Sequence, residues 1–301
     1  MIDVILLTGF LGSGKTTCLN QLLPRLIPKY GRVAVVMNEF GSVGIDGRLI
    51  ENPAHLVELQ NGSIFCICIR ENFLAAMANL ANNEHPELVI MEATGVADPL
   101  EMGDFLSYPA LEEVFRLRRT ITLIDAVNFP KVVQTLRAAR SQALAADVFL
   151  VTKMDLLEPG AEATLKTLLK ETNPRALQFE APFCRLSDDE WGLVLGQASD
   201  QMEAPYDLPM AQSLSPARDP VTAVTLTVGP FADIAAAQRA ILDRLSANVL
   251  RAKGFIRIGE KVYLFQHTMG ETTLIQWEEE VSTIGQLVLV ELAERDKEIS
   301  D

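Results

Sequence analysis

Along the first half of the chain, short apolar runs alternate with stretches of helical period. Val4–Thr8, Val33–Met37, Leu88–Met91, Thr120–Ile124 and Val148–Thr152 are compact and rich in β-branched residues. Between them, Thr17–Leu26, Glu71–Leu80 and Phe129–Ala139 carry helical patterns. Strands that stay apolar without alternating are buried on both faces, which implies a mainly parallel, doubly wound α/β sheet. Basic residues precede two of the runs (Arg32; Arg118 and Arg119), as expected of exposed strand entrances. Pro24 interrupts the first helical pattern, and the helix is expected to end near it, because proline lacks the backbone donor and crowds the preceding turn.

The pattern decays after Ala181. Residues 197–219 carry Pro205, Pro209 and Pro216 with several serines and little periodicity, which reads as a linker. A second block follows. Val221–Val228 alternates like a strand, Phe231–Leu245 is an amphipathic helix, and Gly254–Ile258, Val262–Gln266, Thr273–Trp277 and Leu287–Leu292 are strand-like. The expected organisation is a nucleotide-type α/β domain at 1–196, a linker at 197–219 and a smaller α+β domain at 220–301, with a charged tail from Glu294. A length of 301 residues suits this division at about 150 residues per domain.

Charge removes some classes of partner. With 26 basic and 40 acidic residues the net charge is −14. Neither nucleic acid nor an anionic membrane is therefore an expected partner. No apolar run approaches the ~20 residues of a membrane span. The N-terminal run lacks a basic leader and leads directly into a glycine-rich loop, so it reads as a buried strand rather than a signal peptide. Four cysteines, two of them in Cys66-Ile67-Cys68, do not make a disulfide framework and fit a reducing, cytoplasmic setting.

The chemistry begins at Gly9-Phe10-Leu11-Gly12-Ser13-Gly14-Lys15-Thr16, which matches the P-loop pattern and lies between a strand and a helix as that pattern requires. Its glycines let backbone N–H groups turn inward around phosphate oxygens. Lys15 supplies a cation for the β- and γ-phosphates, and the Thr16 hydroxyl is a Mg²⁺ ligand. A second acidic position is expected at the end of Leu88-Val89-Ile90-Met91-Glu92, followed by Ala93-Thr94-Gly95. Glu92 would hold Mg²⁺ or its water, and the Gly95 N–H would report on the γ-phosphate. Val151-Thr152-Lys153-Met154-Asp155 is close to the Asn-Lys-x-Asp motif of GTPases. Asp155 would accept from the N1–H and 2-amino groups of guanine, a discrimination of ~1–3 kcal/mol against adenine. The Lys153 stem can cover the base. Thr152 replaces the usual Asn, and its hydroxyl can tie loops together.

With these motifs placed, the chain resembles the CobW family of P-loop GTPases, relatives of the nickel-enzyme maturation GTPases. Gly9–Thr17 resembles the family's GFLGSGKTT loop, so Gly9, Gly12, Ser13, Gly14, Lys15, Thr16 and Thr17 form the expected phosphate-binding set. Asn38-Glu39-Phe40-Gly41, with Gly44-Ile45-Asp46, resembles its first switch. Glu92–Pro99 resembles its E-x-T-G-x-A-D-P motif, and Arg251-Ala252-Lys253-Gly254-Phe255 resembles a stretch of its C-terminal domain. The resemblance implies a GTP-dependent metal chaperone that delivers zinc, cobalt or a similar ion to a client metalloprotein or cofactor-dependent enzyme. It also implies Glu39 near Mg²⁺, with Lys15, Thr16 and Glu92 as the hydrolytic centre. Asp46, Glu39 and Glu92 are candidates for orienting water.

The family's C-x-C-C motif is reduced here to Cys66 and Cys68 in Asn61-Gly62-Ser63-Ile64-Phe65-Cys66-Ile67-Cys68. If the segment is extended, both thiols share a face and can bind Zn²⁺, Co²⁺ or Cu⁺ together. The remaining ligands would come from Glu39, His55, water, a client or a second copy of the chain in a homodimer. Alternatively the two cysteines are small buried hydrophobes, and Cys18 and Cys184 read as packing residues. Two other functions stay open. One is a P-loop phosphotransferase, with Arg116–Arg119 imitating a lid; the other is a nucleotide- and metal-binding regulator without turnover. Limited proteolysis tests the organisation. The first cut is expected between Gln197 and Asp219 and leaves an N-terminal fragment that still binds GTP; a first cut near Leu123 contradicts the two-domain reading.

Overall fold

Odd and even positions of the central strands face two different cores. The structure is a computed structural model that describes residues 1–38, 56–59, 67–99, 106–109, 111–196, 221–281 and 283–292, with backbone alone at 38, 56–59 and 67–72. Its first unit is built on β1 (Ile2–Gly9), β2 (Val33–Asn38), β3 (Leu56–Leu59), β4 (Leu88–Glu92), β5 (Phe115–Asp125), β6 (Val148–Thr152) and β7 (Leu177–Glu180). These form a seven-stranded sheet in the order β3-β2-β4-β1-β5-β6-β7, parallel at every pairing. Ile5 and Leu7 join a core with Val35, Ile90, Leu123 and Leu150, whereas Val4 and Leu6 join another with Val36, Val89 and Met91. The absence of polar alternation thus has its expected cause: each face of the strands is covered.

The covering helices are α1 (Lys15–Tyr30), α2 (Ile67–Asn79), α3 (Phe129–Val132), α4 (Arg137–Leu144), α5 (Glu162–Thr172) and α6 (Asp188–Val194). α1 buries Cys18, Leu19, Leu22, Leu23 and Leu26 on one face of the sheet. On the other face, Phe73 and Met77 of α2 pack under β1, β2 and β4, while Leu165 and Leu169 of α5 pack with Phe149 and Val151 of β6. The expected helix over Phe129–Ala139 is two helices, α3 and α4, and β5 begins at Phe115, so Arg118 and Arg119 lie inside the strand rather than before it.

Pro24 does not end the first helix. α1 continues through both Pro24 and Pro28 to a terminus at Gly31, whose N–H donates to Ile27 O at 2.9 Å. Each interior proline costs about 3 kcal/mol, but burial of the leucine stripe returns roughly 1.5–3 kcal/mol per side chain. Both prolines lie on the exposed side, where the lost hydrogen bonds face water. The Arg25 guanidinium also donates to Gln21 O at 2.9 Å.

Among the described residues, the second unit is an antiparallel sheet with one helix. β8 (Val221–Thr227), β9 (Val249–Ile258), β10 (Lys261–Thr268), β11 (Glu271–Trp277) and β12 (Gln286–Leu292) take the order β11-β10-β9-β12-β8. α7 (Ile234–Leu242) is capped by Asp233, which accepts from Ala236 N at 2.8 Å, and it buries Ala237 and Ile241 against Ile256, Phe265 and Leu289. This is the expected α+β arrangement. Trp277 stacks on Phe255 at 5.3 Å between ring centroids. The expected linker and the tail from Glu294 lie outside the described residues. Among the described residues, no helix is long and apolar enough to cross a membrane.

Replacing Pro24 by alanine restores a backbone donor at an exposed helical position. The variant is expected to be more stable by about 1–3 kcal/mol, after allowing for the greater freedom of its unfolded chain. Urea denaturation measures this, and a loss of stability would mean that the proline ring itself supports the helix.

Candidate functional site

In an open parallel sheet, ligands bind beyond the carboxyl ends of the strands, where successive connections leave in opposite directions. Here that point is β1, flanked by β4 and β5. β1 ends at Gly9, and the chain turns through Phe10–Ser13 before α1 starts at Lys15. Gly12 and Gly14 have φ of +74° and +100°. A Cβ at Gly9 would lie 2.6 Å from Leu123 O and 2.7 Å from Ser13 Oγ, so only glycine lets β5 and the loop close so tightly.

Lys15 lies in the mouth of this loop, 8% exposed, and its Nζ donates to Gly9 O at 2.8 Å and Phe10 O at 3.3 Å. The ammonium is thus held by the loop it would serve. The hydroxyls of Thr8, Ser13 and Thr94 are buried in the same region without a hydrogen-bond partner. Buried polar atoms of this kind are uncommon and mark a place where a polar ligand completes the bonding. The inward loop, its cation and the orphaned hydroxyls fit a phosphate chain. Thr16 is half-buried and Thr17 exposed on the first turn of α1.

Glu92 ends β4 in register with Leu7 of β1 and Met37 of β2, and is buried. The Ala93 N–H donates to Leu7 O at 3.0 Å, which fixes the chain as it leaves the strand. Glu92 also acts electrostatically on Cys18, one turn into α1. The Cys18 thiol is held above its usual pKa first by its hydrogen bond with Cys184, then by burial. Both cysteines are buried in the core, as packing residues would be.

The segment expected to read the base leaves β6. The Thr152 hydroxyl faces two acceptors, Ser13 O at 2.9 Å and Ile124 O at 3.2 Å. It therefore ties β6 and β5 to the phosphate loop. Lys153 has φ +57°, and its Nζ forms an ion pair with Asp125 Oδ2 at 2.8 Å. Asp155 is exposed on the short turn Met154–Leu156.

Asp125 was not singled out by the sequence. It ends β5 in register with Thr152, and besides Lys153 its carboxylate accepts from Val127 N, Asn128 N and Asn128 Nδ2, each at 3.0 Å. Only a run of apolar residues ending in an acid hinted at it, the same signal that Glu92 gives.

The arginines considered as a lid are elsewhere. Arg116 and Arg118 pair with Asp3 at 2.6 and 2.7 Å, and Arg119 is buried with its Nη2 3.3 Å from Leu193 O. Asp3 is in register with Arg116, Ile5 with Arg119 and Gly9 with Leu123, so at about 3.3 Å per residue Arg116 lies ~20 Å and Arg119 ~13 Å along the strands from the loop. This removes the sequence argument for a phosphotransferase lid.

Glu39, Asp46, His55 and Cys66 lie outside the described residues. Cys68 is in α2, so the backbone is helical from Ile67 onward. The shared-face argument for Cys66 and Cys68 assumed an extended segment, and residues two apart do not share a face of a helix. No metal-binding group of three or more His, Cys, Asp or Glu residues occurs among the described residues.

A family model described as the CobW/HypB/UreG nucleotide-binding domain matches residues 3–180, more than half of the chain. The chain belongs to this family. Among its curated relatives, the zinc chaperone YjiA of Escherichia coli (strain K12) is 36% identical over 183 residues, covering 58% of this chain and 56% of that protein. The zinc chaperone YeiR of the same strain is 33% identical over 166 residues, covering 54% and 49%. The zinc-regulated GTPase metalloprotein activator 1 of Dictyostelium discoideum is 27% identical over 215 residues, covering 58% and 44%. The chain spans about half the length of these curated relatives. As a member of the CobW/HypB/UreG family, it is expected to depend on the loop ties just described. Thr152→Val leaves Ser13 O without its donor; stability should fall by about 1–3 kcal/mol. Because the hydroxyl touches loop backbone, nucleotide affinity should weaken while the ratio of GTP to ATP affinity stays as in the wild type, and calorimetric titration with both nucleotides checks this.

Proposed function

We propose that this chain is a GTP-binding, GTP-hydrolysing metallochaperone. Its nucleotide state would control the binding of a transition metal, zinc or cobalt, and its delivery to a client metalloprotein or cofactor-dependent enzyme. The observation that carries the reading is the meeting of two motifs at neighbouring strand ends. A loop that cradles its own lysine is bonded, through Thr152, to the segment bearing Lys153 and Asp155. The names of the zinc-chaperone and GTPase-activator relatives support the metal and the nucleotide.

In this reading Gly9–Thr17 binds the phosphates. Lys15 shifts from its own loop carbonyls to the β- and γ-phosphate oxygens, where its charge stabilises the transition state. Asp155 accepts from the guanine edge, and the Asp125–Lys153 ion pair fixes the Lys153 stem beside the base. Thr16 and Glu92, with Glu39, would hold Mg²⁺, which when bound offsets phosphate charge. Gly95 follows Glu92 by three residues and would sense the γ-phosphate. Cys66 and Cys68 are the thiolate ligands for the cargo metal, completed by Glu39, a client or a second copy of the chain. The nucleotide work belongs to 1–196, joined through 197–219 to the domain at 220–301.

Cys68 lies in α2, and α2 packs through Phe73 and Met77 on Val89 and Met91 of β4, the strand that carries Glu92. In this reading a change at the γ-phosphate reaches the metal through these packed elements.

The test combines nucleotide and metal titrations of the full chain. GTP should bind far more tightly than ATP, Lys15→Ala should abolish binding, and Asp155→Asn should shift preference toward xanthosine triphosphate. Zn²⁺ affinity, measured by competition, should differ between the GDP state and a non-hydrolysable GTP analogue by roughly 5–150-fold, and linkage requires the reciprocal effect on nucleotide. Equal affinity for ATP and GTP defeats the base assignment. Unaltered Zn²⁺ binding in Cys66→Ser and Cys68→Ser defeats the metal site.

A further inference from the structure

The segment that follows Glu92 is gripped from the side opposite the phosphate loop. Thr94–Ala97 is a tight turn closed by the Ala97 N–H donating to Thr94 O at 3.0 Å. On one side Gly95 presses on the loop, so that a Cβ there would lie 2.6 Å from Leu11 N and 2.8 Å from Leu11 Cα. On the other side α4 reaches in with two polar side chains. Gln142 Nε2 donates to Gly95 O at 3.1 Å and to Ala97 O at 3.0 Å. The Ser141 hydroxyl donates to Asp98 Oδ1 at 2.5 Å. α4 is itself held to β5 by the Thr122 hydroxyl, which donates to Gln142 O at 3.0 Å.

Gln142 is 1% exposed, and its Oε1 is buried without a partner. Two carbonyl acceptors allow only the NH₂ end of the amide to face them. Burying an unmet amide oxygen is unfavourable, and a helix facing a sheet needs no amide for packing. What the amide does accomplish is to fix a peptide plane. With Gly95 O held toward α4, the N–H of the same trans peptide, that of Val96, points the opposite way. Neither Gly95 N–H nor Val96 N–H donates to a backbone carbonyl among the described residues.

We propose that Gln142, assisted by Ser141, is a positioning residue for GTP hydrolysis: a clasp that fixes the Gly95–Val96 peptide and so aims the Val96 N–H, beside Gly95, at the γ-phosphate. The hydrolytic role rests on the function proposed above; the clasp itself rests on the four hydrogen bonds. Without the clasp the turn is free to rotate that peptide. Phosphate binding by Lys15 and its loop would persist, and the response to the γ-phosphate would be lost.

Hydrogen exchange and steady-state kinetics on the full chain test it, with Gln142→Leu, which removes the donor, and Gln142→Glu, which sets a carboxylate against both carbonyls. The Ala97 amide, which donates to Thr94 O, should exchange about tenfold faster in both variants without nucleotide, and the added protection that a non-hydrolysable GTP analogue gives over GDP at 95–98 should vanish. The kcat for GTP should fall roughly tenfold while GDP affinity stays within about twofold, a split that a general loss of structure would not produce. Ser141→Ala removes only the Asp98 contact and should move exchange at 95–98 in the same direction by less; it serves if the Gln142 variants do not fold. Unchanged exchange at 95–98 overturns the clasp, and so does a GDP affinity that falls in step with kcat. A wild type that binds but does not hydrolyse GTP defeats the proposed function instead, and the exchange comparison still decides the clasp.

Discussion

A phosphate loop is a turn with no core of its own, and its shape has to be imposed by neighbours. Here the carboxyl ends of three strands impose it. Beyond β4, Gly95 packs on Leu11; within β5, Leu123 O closes on Gly9; at the end of β6, the Thr152 hydroxyl is bonded to Ser13 O. These contacts exist only because β1 is central in an all-parallel sheet, so that its two neighbours and the strand beyond end at the same level. The apolar runs that cover both faces of the sheet thus do more than stabilise it. They set the register that brings Glu92, Asp125 and Thr152 to one edge.

The same edge concentrates charge in a region that excludes water. Asp125 and Lys153 form one internally compensated set, with main-chain and Asn128 donors satisfying the remaining lone pairs of the carboxylate. Such a pair adds little net stability, but removing one member leaves a buried charge exposed to its full desolvation cost. Lys15 is held within the loop itself, where its Nζ donates to Gly9 O and Phe10 O. A polyanion entering the loop meets a cation already in place, which is how a preorganised site favours charge that arrives late.

The fold was legible wherever burial left a mark on composition. The central strands, the phosphate loop and the α+β character of the second unit could each be read from residue type and spacing. The edge strands β3 and β7 were not, because four residues at the margin of a sheet need no continuous apolar run; β7 is mostly exposed. Pro24 misled because local propensity was weighed without the leucine stripe that overrides it. Asp125 and Gln142 were invisible for another reason. An acid at a strand end and a glutamine in Arg-Ser-Gln-Ala-Leu have no distinctive signature; each acquires its role through distant partners, Lys153 for Asp125 and Gly95 and Ala97, 47 and 45 residues away, for Gln142. Thr152 lies between these cases, since its departure from the usual Asn was plain and the structure supplies what the hydroxyl does in its place.

In the proposed function, two opposed demands meet at the turn after β4. A residue that reports on a γ-phosphate must be able to change its contacts, yet it must return to one geometry or it reports nothing. Gly95 satisfies the first demand, since any side chain there would collide with Leu11. Glycine alone leaves the second unmet, because it is the residue with the widest choice of backbone conformations. The amide of Gln142 answers this from outside the turn, through acceptors on either side of Val96. Since its donor atom lies on α4 and α4 is bonded to β5, the reference frame for the turn is the sheet itself. Movement at Gly95 is then measured against the same strands that hold the phosphate loop, and a displacement of a fraction of an ångström suffices to break hydrogen bonds that depend steeply on distance and angle.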